Sequence, residues 1–345
     1  MTRTLSEPRR SFFAVFGPLA AAACLLWSLP RIARAQESGA PSPPPLRSLA
    51  ELVKLDVTVV DRHGDFVGGL DQKNFRVLDN DVEQPIAFFA PVEAPAHVLV
   101  LIETGPAVYI ISSQHLVAAY AFLDGLAADD QVALATYDQT PRPLLGFTSD
   151  KSAVAASLGR IDYNIGAAQL NFYDSVSAVL DWREPNEGKG ALLLLTTGLD
   201  SSSQARWDAL AQKLRGEDVV IYSVALGGAL RDRPGKKPKP PKPALESTSG
   251  ESMSWANADV ALTSLASVTG GRAYFPESPD DFLSMYREIA SALRHQYVVG
   301  IAPQHDGQFH SLRVQILGSS GRPVSTDIKR AEYRVSARQG YLAPP

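Results

Sequence analysis

The sequence contains little sulfur: among its 345 residues there is a single cysteine, Cys24, and there are only three methionines. Cys24 lies in an apolar run near the N terminus, so the chain beyond that run has no thiol. This distribution excludes disulfides, thiolate metal sites and a cysteine nucleophile from the rest of the chain. The folded part must therefore be stabilised by its hydrophobic core.

An excess of positive charge is also missing. The formal net charge is −4, and removal of residues 1–35, which carry five arginines and one glutamate, leaves −8. A surface of this sign repels a phosphate backbone, so we predict no binding of nucleic acid.

Sequence motifs of hydrolytic enzymes are absent as well. The chain has neither a G-x-S-x-G elbow nor an H-E-x-x-H helix, and its paired acids Asp129 and Asp130 precede a strand, where we expect water to solvate them. His305 and His310 flank a predicted turn, and a surface pair on a hairpin explains them as well as a metal site does. We therefore predict no enzyme, no catalytic residues and no cofactor.

The longest apolar run lies at the N terminus. Arg9 and Arg10 precede the apolar residues 11–29, and Ala33-Arg34-Ala35 has the small-x-small pattern of a cleavage site. We interpret residues 1–35 as an export signal, which places the protein in the periplasm or outside the cell with no stable membrane span after cleavage. A membrane anchor and lipid attachment at Cys24 are the alternatives, and the general and twin-arginine routes both stay open.

Composition divides the remaining chain into segments. Residues 36–50 form a Pro-rich linker. Residues 51–94 and 295–345 have the alternating pattern of β strands, and we predict that they form the two parts of one β sandwich. Residues 95–294 form an α/β domain, which is interrupted by a Pro- and Lys-rich loop over residues 231–250.

The first β segment shows alternation directly. Leu55, Val57 and Val59 share one face of a strand, and residues 65–70 are predicted to begin the returning strand. The turn-forming residues 79–81 separate a second pair of short strands.

In the α/β segment, apolar runs alternate with amphipathic stretches. Three apolar stripes with helical spacing predict core-facing helices, over residues 116–126, 207–214 and 282–293. Tyr120 belongs to the first of these stripes. Near-continuous apolar strands between such helices favour a mostly parallel sheet that is covered on both faces. The strand candidates are residues 97–103, 131–138, 190–198, 218–228 and 271–276.

Several segments resemble the secreted bacterial proteins that contain a von Willebrand factor A-related domain, a family common in Acidobacteria. The segments are LDVTVVDRHGDFVGGLDQKNFRVLDNDVEQPIAFF, VLVLIETGPA, NFYDSV, ALLLLTTGLDSSS, DGQFHSLRVQI and YRVSARQGYLAPP. The resemblance covers roughly residues 50–345 and implies an α/β fold with a doubly wound, mostly parallel, six-stranded sheet flanked by N- and C-terminal strands.

The resemblance also implies a metal-ion-dependent adhesion site at the carboxyl ends of the first and fourth strands. The usual ligands there are Asp-x-Ser-x-Ser, a Thr and an Asp, which supply the oxygen atoms that Mg²⁺ or Ca²⁺ requires. This sequence has Glu103, Gly105, Ala107, Leu170 and Thr197 at those five positions. Only Glu103 and Thr197 retain a side-chain oxygen, so we predict that the metal site is largely lost.

The strand ends themselves remain as a candidate binding crevice. Glu103, Thr104, Thr197 and Asp200 are predicted to lie together at the edge of the sheet and to contact another protein without a metal. The chain is thus interpreted as an exported, non-catalytic protein-binding or scaffold protein.

Three alternatives stay open. The first is a divalent-cation-dependent adhesion module whose site is rebuilt around Glu103 by Asp200, Asp174 or Asp138, although these acids suit helix starts and turns equally well. The second is a cell-envelope hydrolase, and the third is a purely structural envelope protein.

Overall fold

The computed structural model describes residues 52–109, 119–120, 122–166, 169–182, 189–217, 219–227, 254–318, 320–324 and 333–345. All of them belong to one compact unit that extends from Pro44 to Pro345. The predicted export signal, the linker over residues 36–50 and the loop over residues 231–250 lie outside the described residues.

We number fourteen strands and six α-helices in the described chain. The strands are β1 (Val53–Asp61), β2 (Phe75–Asp79), β3 (Val82–Gln84), β4 (Ile86–Glu93), β5 (Ala96–Glu103), β6 (Gln131–Tyr137), β7 (Pro141–Thr148), β8 (Lys189–Thr196), β9 (Val220–Ala225), β10 (Ala273–Tyr274), β11 (His295–Ile301), β12 (Phe309–Ile316), β13 (Tyr333–Ser336) and β14 (Gly340–Leu342). The helices are α1 (Pro106–Tyr109), α2 (Lys151–Leu158), α3 (Phe172–Asp181), α4 (Trp207–Gly216), α5 (Trp255–Thr269) and α6 (Pro279–Arg294). None of the helices in the described ranges combines the length and the apolar character needed to cross a bilayer.

Six strands form the central sheet in the order β10-β9-β8-β5-β6-β7. All neighbours are parallel except β7, which runs antiparallel to β6. Alternate side chains of β5 enter two different cores: Val100 and Ile102 pack with α2 and α6, whereas Leu99 and Leu101 pack with α3, α4 and α5. The predicted doubly wound, mostly parallel α/β class is therefore confirmed.

Two details of the α/β prediction were incomplete or wrong. The five strand candidates correspond to β5, β6, β8, β9 and β10, but β7 was not among them. Tyr120, which belonged to a predicted core stripe, is 44% exposed, whereas Leu123 and Leu126 of the same stripe are buried.

The flanking strands form a β sandwich, as predicted. One sheet has the order β13-β1-β11-β4 and the other β14-β12-β2-β3, so each combines strands from both ends of the described chain. Leu55, Val57 and Val59 of β1 are fully buried and pack with Val77 and Leu312 of the facing sheet. The boundaries at residues 94 and 295 stay a prediction, because the sandwich and the central sheet lie in one compact unit.

The predicted returning strand over residues 65–70 is wrong. Only Phe66 forms a bridge, to Val60, and the following chain turns through Gly69 with a φ of +76°. The turn at residues 79–81 is present, with positive φ angles at Asn80 and Asp81 that suit a tight hairpin between β2 and β3.

His310 is buried, which corrects the prediction of a surface pair with His305. Its Nδ1 lies 2.7 Å from Asp79 Oδ1, and its Nε2 lies 3.1 Å from Asp306 Oδ2. Tyr341 of β14 also donates to Asp79 Oδ2, at 3.1 Å. Asp79 and then Asp306 raise the pKa of His310, because both carboxylates stabilise the imidazolium. This polar cluster connects β2, β12 and β14.

Candidate functional site

The carboxyl ends of β5 and β8 meet at one edge of the central sheet. Ile102 is paired with Leu195 in parallel register, so Glu103 ends β5 directly beside Thr196, the last residue of β8. Glu103 is fully buried there. Apolar residues precede Glu103 and Thr196 on their strands. The two polar residues therefore lie side by side at the strand ends, where the following loops begin.

One oxygen of the Glu103 carboxyl group accepts four hydrogen bonds. Oε2 accepts from the Thr197 backbone N–H and from Thr197 Oγ1, each at 2.7 Å, and from Thr196 Oγ1 at 2.9 Å. The Tyr137 hydroxyl of β6 donates to the same oxygen at 3.2 Å. Glu103 thus connects the ends of three neighbouring strands. We call these four residues the Glu103 clasp.

The second oxygen of Glu103 faces hydrocarbon. Oε1 is buried and has no hydrogen-bond partner among the described residues. A β-carbon placed on Gly105 would lie 3.3 Å from Oε1 and only 3.0 Å from Leu170 Cδ2, so Leu170 occupies the space beside the carboxyl group. Leu170 packs with Leu199, Ala258 and Trp255 in a small apolar cluster, which we call the apolar lid.

Burial governs the electrostatics of the clasp. It raises the pKa of Glu103, although the bonds from Thr197, Thr196 and Tyr137 stabilise the carboxylate and oppose the shift. Burial and the neighbouring Glu103 also raise the pKa of the Tyr137 hydroxyl, so that this group remains a donor.

The other two predicted site residues have structural partners. The Thr104 hydroxyl donates to the Tyr137 carbonyl at 3.1 Å. Asp200 Oδ1 accepts the backbone N–H groups of Phe172 at 2.8 Å and Tyr173 at 3.4 Å, and it therefore caps the start of α3. The structure brings Glu103 and Thr197 into direct contact and places all four predicted residues in the interior, none more than 8% exposed.

The acids considered for a rebuilt metal site also have partners. Asp138 Oδ1 lies 3.0 Å from Arg142 Nη2 and accepts the Gln139 backbone N–H at 2.7 Å. Partial burial acts to raise the pKa of Asp138, but the hydrogen bonds from Arg142, Gln139 and Asn164 lower it overall. Asp174, in the first turn of α3, accepts the backbone N–H groups of residues 204 and 205.

This donor set does not fit a divalent cation. Mg²⁺ requires about six oxygen atoms, and Ca²⁺ six to eight. Oε1 of Glu103 is buried without a hydrogen-bond partner among the described residues, and a Leu170 methyl group lies near it on the Gly105 side. Within the described ranges, no group of three or more His, Cys, Asp or Glu side chains is arranged to hold a metal.

An open groove lies beside the apolar lid, and the sequence analysis did not anticipate it. Its volume is about 720 Å³, and its walls come from the end of β6, the start of β7 and residues 160–166. Asp138, Arg142, Arg160 and Ile165 line it, and Ile165 is 71% exposed. We call it the carboxyl-edge groove. An isolated isoleucine between polar residues carries no periodic signal that would reveal such a surface.

Comparison with known proteins identifies similar solved structures, whereas no protein-family model and no curated protein matches the chain. A von Willebrand factor type A protein from Catenulispora acidiphila has 10% identity and a TM-score of 0.42, over 85% of this chain and 74% of that one. BatB from Bacteroides thetaiotaomicron has 14% identity and a TM-score of 0.42, over 57% of this chain and 98% of that one. The von Willebrand factor domain of a type V pilus tip protein from Porphyromonas gingivalis has 10% identity and a TM-score of 0.42, over 58% of this chain and 95% of that one. The α/β class of the present chain follows from its own strand order.

Proposed function

We propose that this chain is an exported, non-catalytic protein-binding or scaffold module of the von Willebrand factor A type, which contacts its partner without a bridging cation. The observation that carries the proposal is the state of Glu103. Its Oε2 lies within hydrogen-bond distance of four donors and its Oε1 is fully buried, so neither oxygen is exposed to a metal at the edge of the sheet.

The same geometry argues against catalysis at this edge. A general acid or base must reach a substrate proton, and Glu103 is fully buried beneath the apolar lid. Asp138, which does line the groove, is paired with Arg142 and has a lowered pKa, and both features favour a permanent anion over a proton-transfer group.

The contact surface that we assign to a partner is the carboxyl-edge groove. The four residues selected from the sequence are interior, so recognition falls to the exposed residues next to them, above all Ile165. An exposed large apolar side chain on the rim of a polar groove is a feature typical of protein interfaces. Export rests on the signal-like residues 1–35.

Affinity capture from the envelope fraction of the producing cells, with and without EDTA, tests this proposal. We expect the wild type to enrich the same proteins under both conditions and the Ile165→Asp variant to lose them. Val82→Asp is the matched control, because Val82 is 63% exposed on β3 of the sandwich. Loss of the captured proteins with EDTA would support the cation-dependent alternative, and retention by Ile165→Asp would exclude the groove.

Direct titration with cations supplies a second test. We expect no heat of binding and no shift in melting temperature with Mg²⁺, Ca²⁺ or Mn²⁺ at millimolar concentration, since too few oxygen ligands are present. A saturable heat that disappears in the Glu103→Gln variant would contradict the proposal and restore a metal at this edge.

A further inference from the structure

The buried His310 of the sandwich lies between two carboxylates. Its Nδ1 faces Asp79 Oδ1 of β2 at 2.7 Å, and its Nε2 faces Asp306 Oδ2, in the turn before β12, at 3.1 Å. Tyr341 of β14 packs against the imidazole, with the ring centroids 5.3 Å apart, and donates to Asp79 Oδ2. Among the described residues, these three are the titratable groups that face the ring. We call the four residues the His310 latch.

This arrangement suits the charged form of the ring. An imidazolium has an N–H on both nitrogens and can donate to Asp79 and Asp306 at the same time. A neutral imidazole has one N–H and must present a lone pair to one of the two carboxylates. Asp79 and then Asp306 accordingly raise the pKa of His310 above its ordinary value of 6.5.

The two bonds of the ring differ in their exposure to water. The Asp79 side chain is only 2% exposed, so solvent cannot replace its bond to Nδ1, whereas the Asp306 side chain is 48% exposed. The other neutral tautomer would accept from Asn80 Nδ2, 3.3 Å from Nδ1, but it would turn a lone pair toward the buried Asp79. Nε2 therefore loses its proton first, and the bond that breaks is the one to the turn.

The turn that contains Asp306 also holds the residues after β14. The Gly307 N–H donates to the Pro344 carbonyl at 3.2 Å. The Gln308 carbonyl accepts from the Ala343 N–H at 2.9 Å, and Ala343 is buried in the sandwich core. Since β14 is paired with β12 over only three residues, this turn is a main support of the segment.

We propose that the His310 latch is a pH-dependent switch, in which the charged ring fixes the Asp306 turn and, through it, residues 343–345. Loss of the proton releases the turn and uncovers the adjoining end of the sandwich core. Because the folded pKa is raised, the stabilisation is fully present below the unfolded value of 6.5 and is lost as pH rises through the folded pKa. The inference does not rest on the proposed function, because it concerns the sandwich and not the edge of the central sheet.

The test must report on the turn itself, because Glu103 also has a raised pKa. Hydrogen–deuterium exchange of the protein as exported, read at the amides of Gly307 and Ala343, meets this need. After correction for the intrinsic pH dependence of exchange, we expect their protection to fall by at least about tenfold from about pH 6 to about pH 9. NMR of the histidine rings in the same samples follows the charge of His310, whose signal is assigned by its loss in His310→Asn.

Two variants separate the latch from other effects of pH. His310→Asn keeps a donor for Asp79 but carries no charge and is too short to reach Asp306, so protection should be low and should no longer depend on the latch. Asp306→Asn keeps an acceptor but removes one carboxylate, so the loss of protection should move to lower pH. His305→Asn, at an exposed position of the same turn, is the matched control and should behave like the wild type.

Four results would overturn this inference. They are a His310 ring that stays charged up to about pH 9, amides that keep their protection while the ring loses its proton, a His310→Asn variant that loses protection over the same pH interval as the wild type, and an unchanged midpoint in Asp306→Asn. The last variant provides the test even if His310→Asn does not fold.

Discussion

Replacement of Glu103 with alanine should lower the free energy of unfolding by about 3–5 kcal/mol. The variant leaves buried donors of Thr197, Thr196 and Tyr137 without their acceptor, and each unsatisfied buried group costs about 1–3 kcal/mol. Truncation also leaves a cavity beneath the apolar lid. The total is reduced because the Tyr137 and Thr196 hydroxyl groups lie within hydrogen-bond distance of each other. Denaturant unfolding at neutral pH measures the loss.

Glu103→Gln is the matched control, since it keeps an acceptor for the four donors and removes the charge. We expect its stability at neutral pH to lie within about 1 kcal/mol of the wild type. If this variant loses as much stability as Glu103→Ala, the charge of Glu103 is essential and the clasp does not act through its acceptor.

The stability of the wild type and that of the Glu103→Gln variant should also depend differently on pH. Burial raises the pKa of Glu103 above its unfolded value of about 4.3, so the fold favours the protonated form. The contribution of this group to stability is therefore fully present below the unfolded pKa and is lost as pH rises through the folded pKa. Stability of Glu103→Gln relative to the wild type should increase over that interval, and a constant difference would contradict the raised pKa.

Replacement of Gly271 with alanine should lower the free energy of unfolding by at least as much as Glu103→Ala does. A β-carbon at this position would lie 2.0 Å from the Ile221 carbonyl oxygen and 2.7 Å from the carbonyl carbon. Both atoms belong to the backbone of β9, so no side-chain rotation relieves the overlap, and β10 must separate from β9. We expect a loss of about 4 kcal/mol or more, or failure to fold, measured by denaturant unfolding and by the yield of soluble protein.

Gly216→Ala provides the matched control for that substitution. Gly216 ends α4, and nothing lies within 4 Å of a β-carbon placed there. Alanine at this helical position should be neutral or should stabilise the protein by up to about 1 kcal/mol, through a smaller entropy of the unfolded chain. A Gly271→Ala variant as stable as Gly216→Ala would show that β9 and β10 tolerate a wider separation than the structure indicates.

The extent to which the fold could be predicted differs between its central and edge strands. Strands such as β5 and β8 are buried on both faces and give continuous apolar runs that the sequence displays directly. The edge strand β7 escapes this pattern because it contains Pro141 and Pro143, which suit the first residue and an irregular pairing of an edge strand. Residues 65–70 follow a turn and include the apolar pair Phe66 and Val67, but the chain turns at Gly69, where φ is +76°.

The candidate site could also be predicted only in part from the sequence. The positions of Glu103 and Thr197 follow from strand order, because carboxyl ends of adjacent parallel strands meet. Their burial could not be predicted, since it depends on side chains from distant segments. Leu170 packs with Ala258 and Trp255 of α5, and Tyr137 lies beside Glu103 because β6 is in register with β5. Sequence reasoning therefore predicted a crevice where the structure has a sealed interior.

Both sheets of the sandwich pair strands that lie far apart in the chain, which affects the order of folding. Val53 is paired with Ile301, and the whole central sheet lies between these two residues in the chain. Pairing over such a sequence separation closes late, because a long intervening loop must first be compacted. During synthesis, β1 to β4 emerge well before β11 to β14 and have open edges until then, the condition in which strands aggregate. A chain interrupted before residue 295 lacks the strands that pair with β1, β2 and β4, so these edges stay open until the C-terminal segment is present.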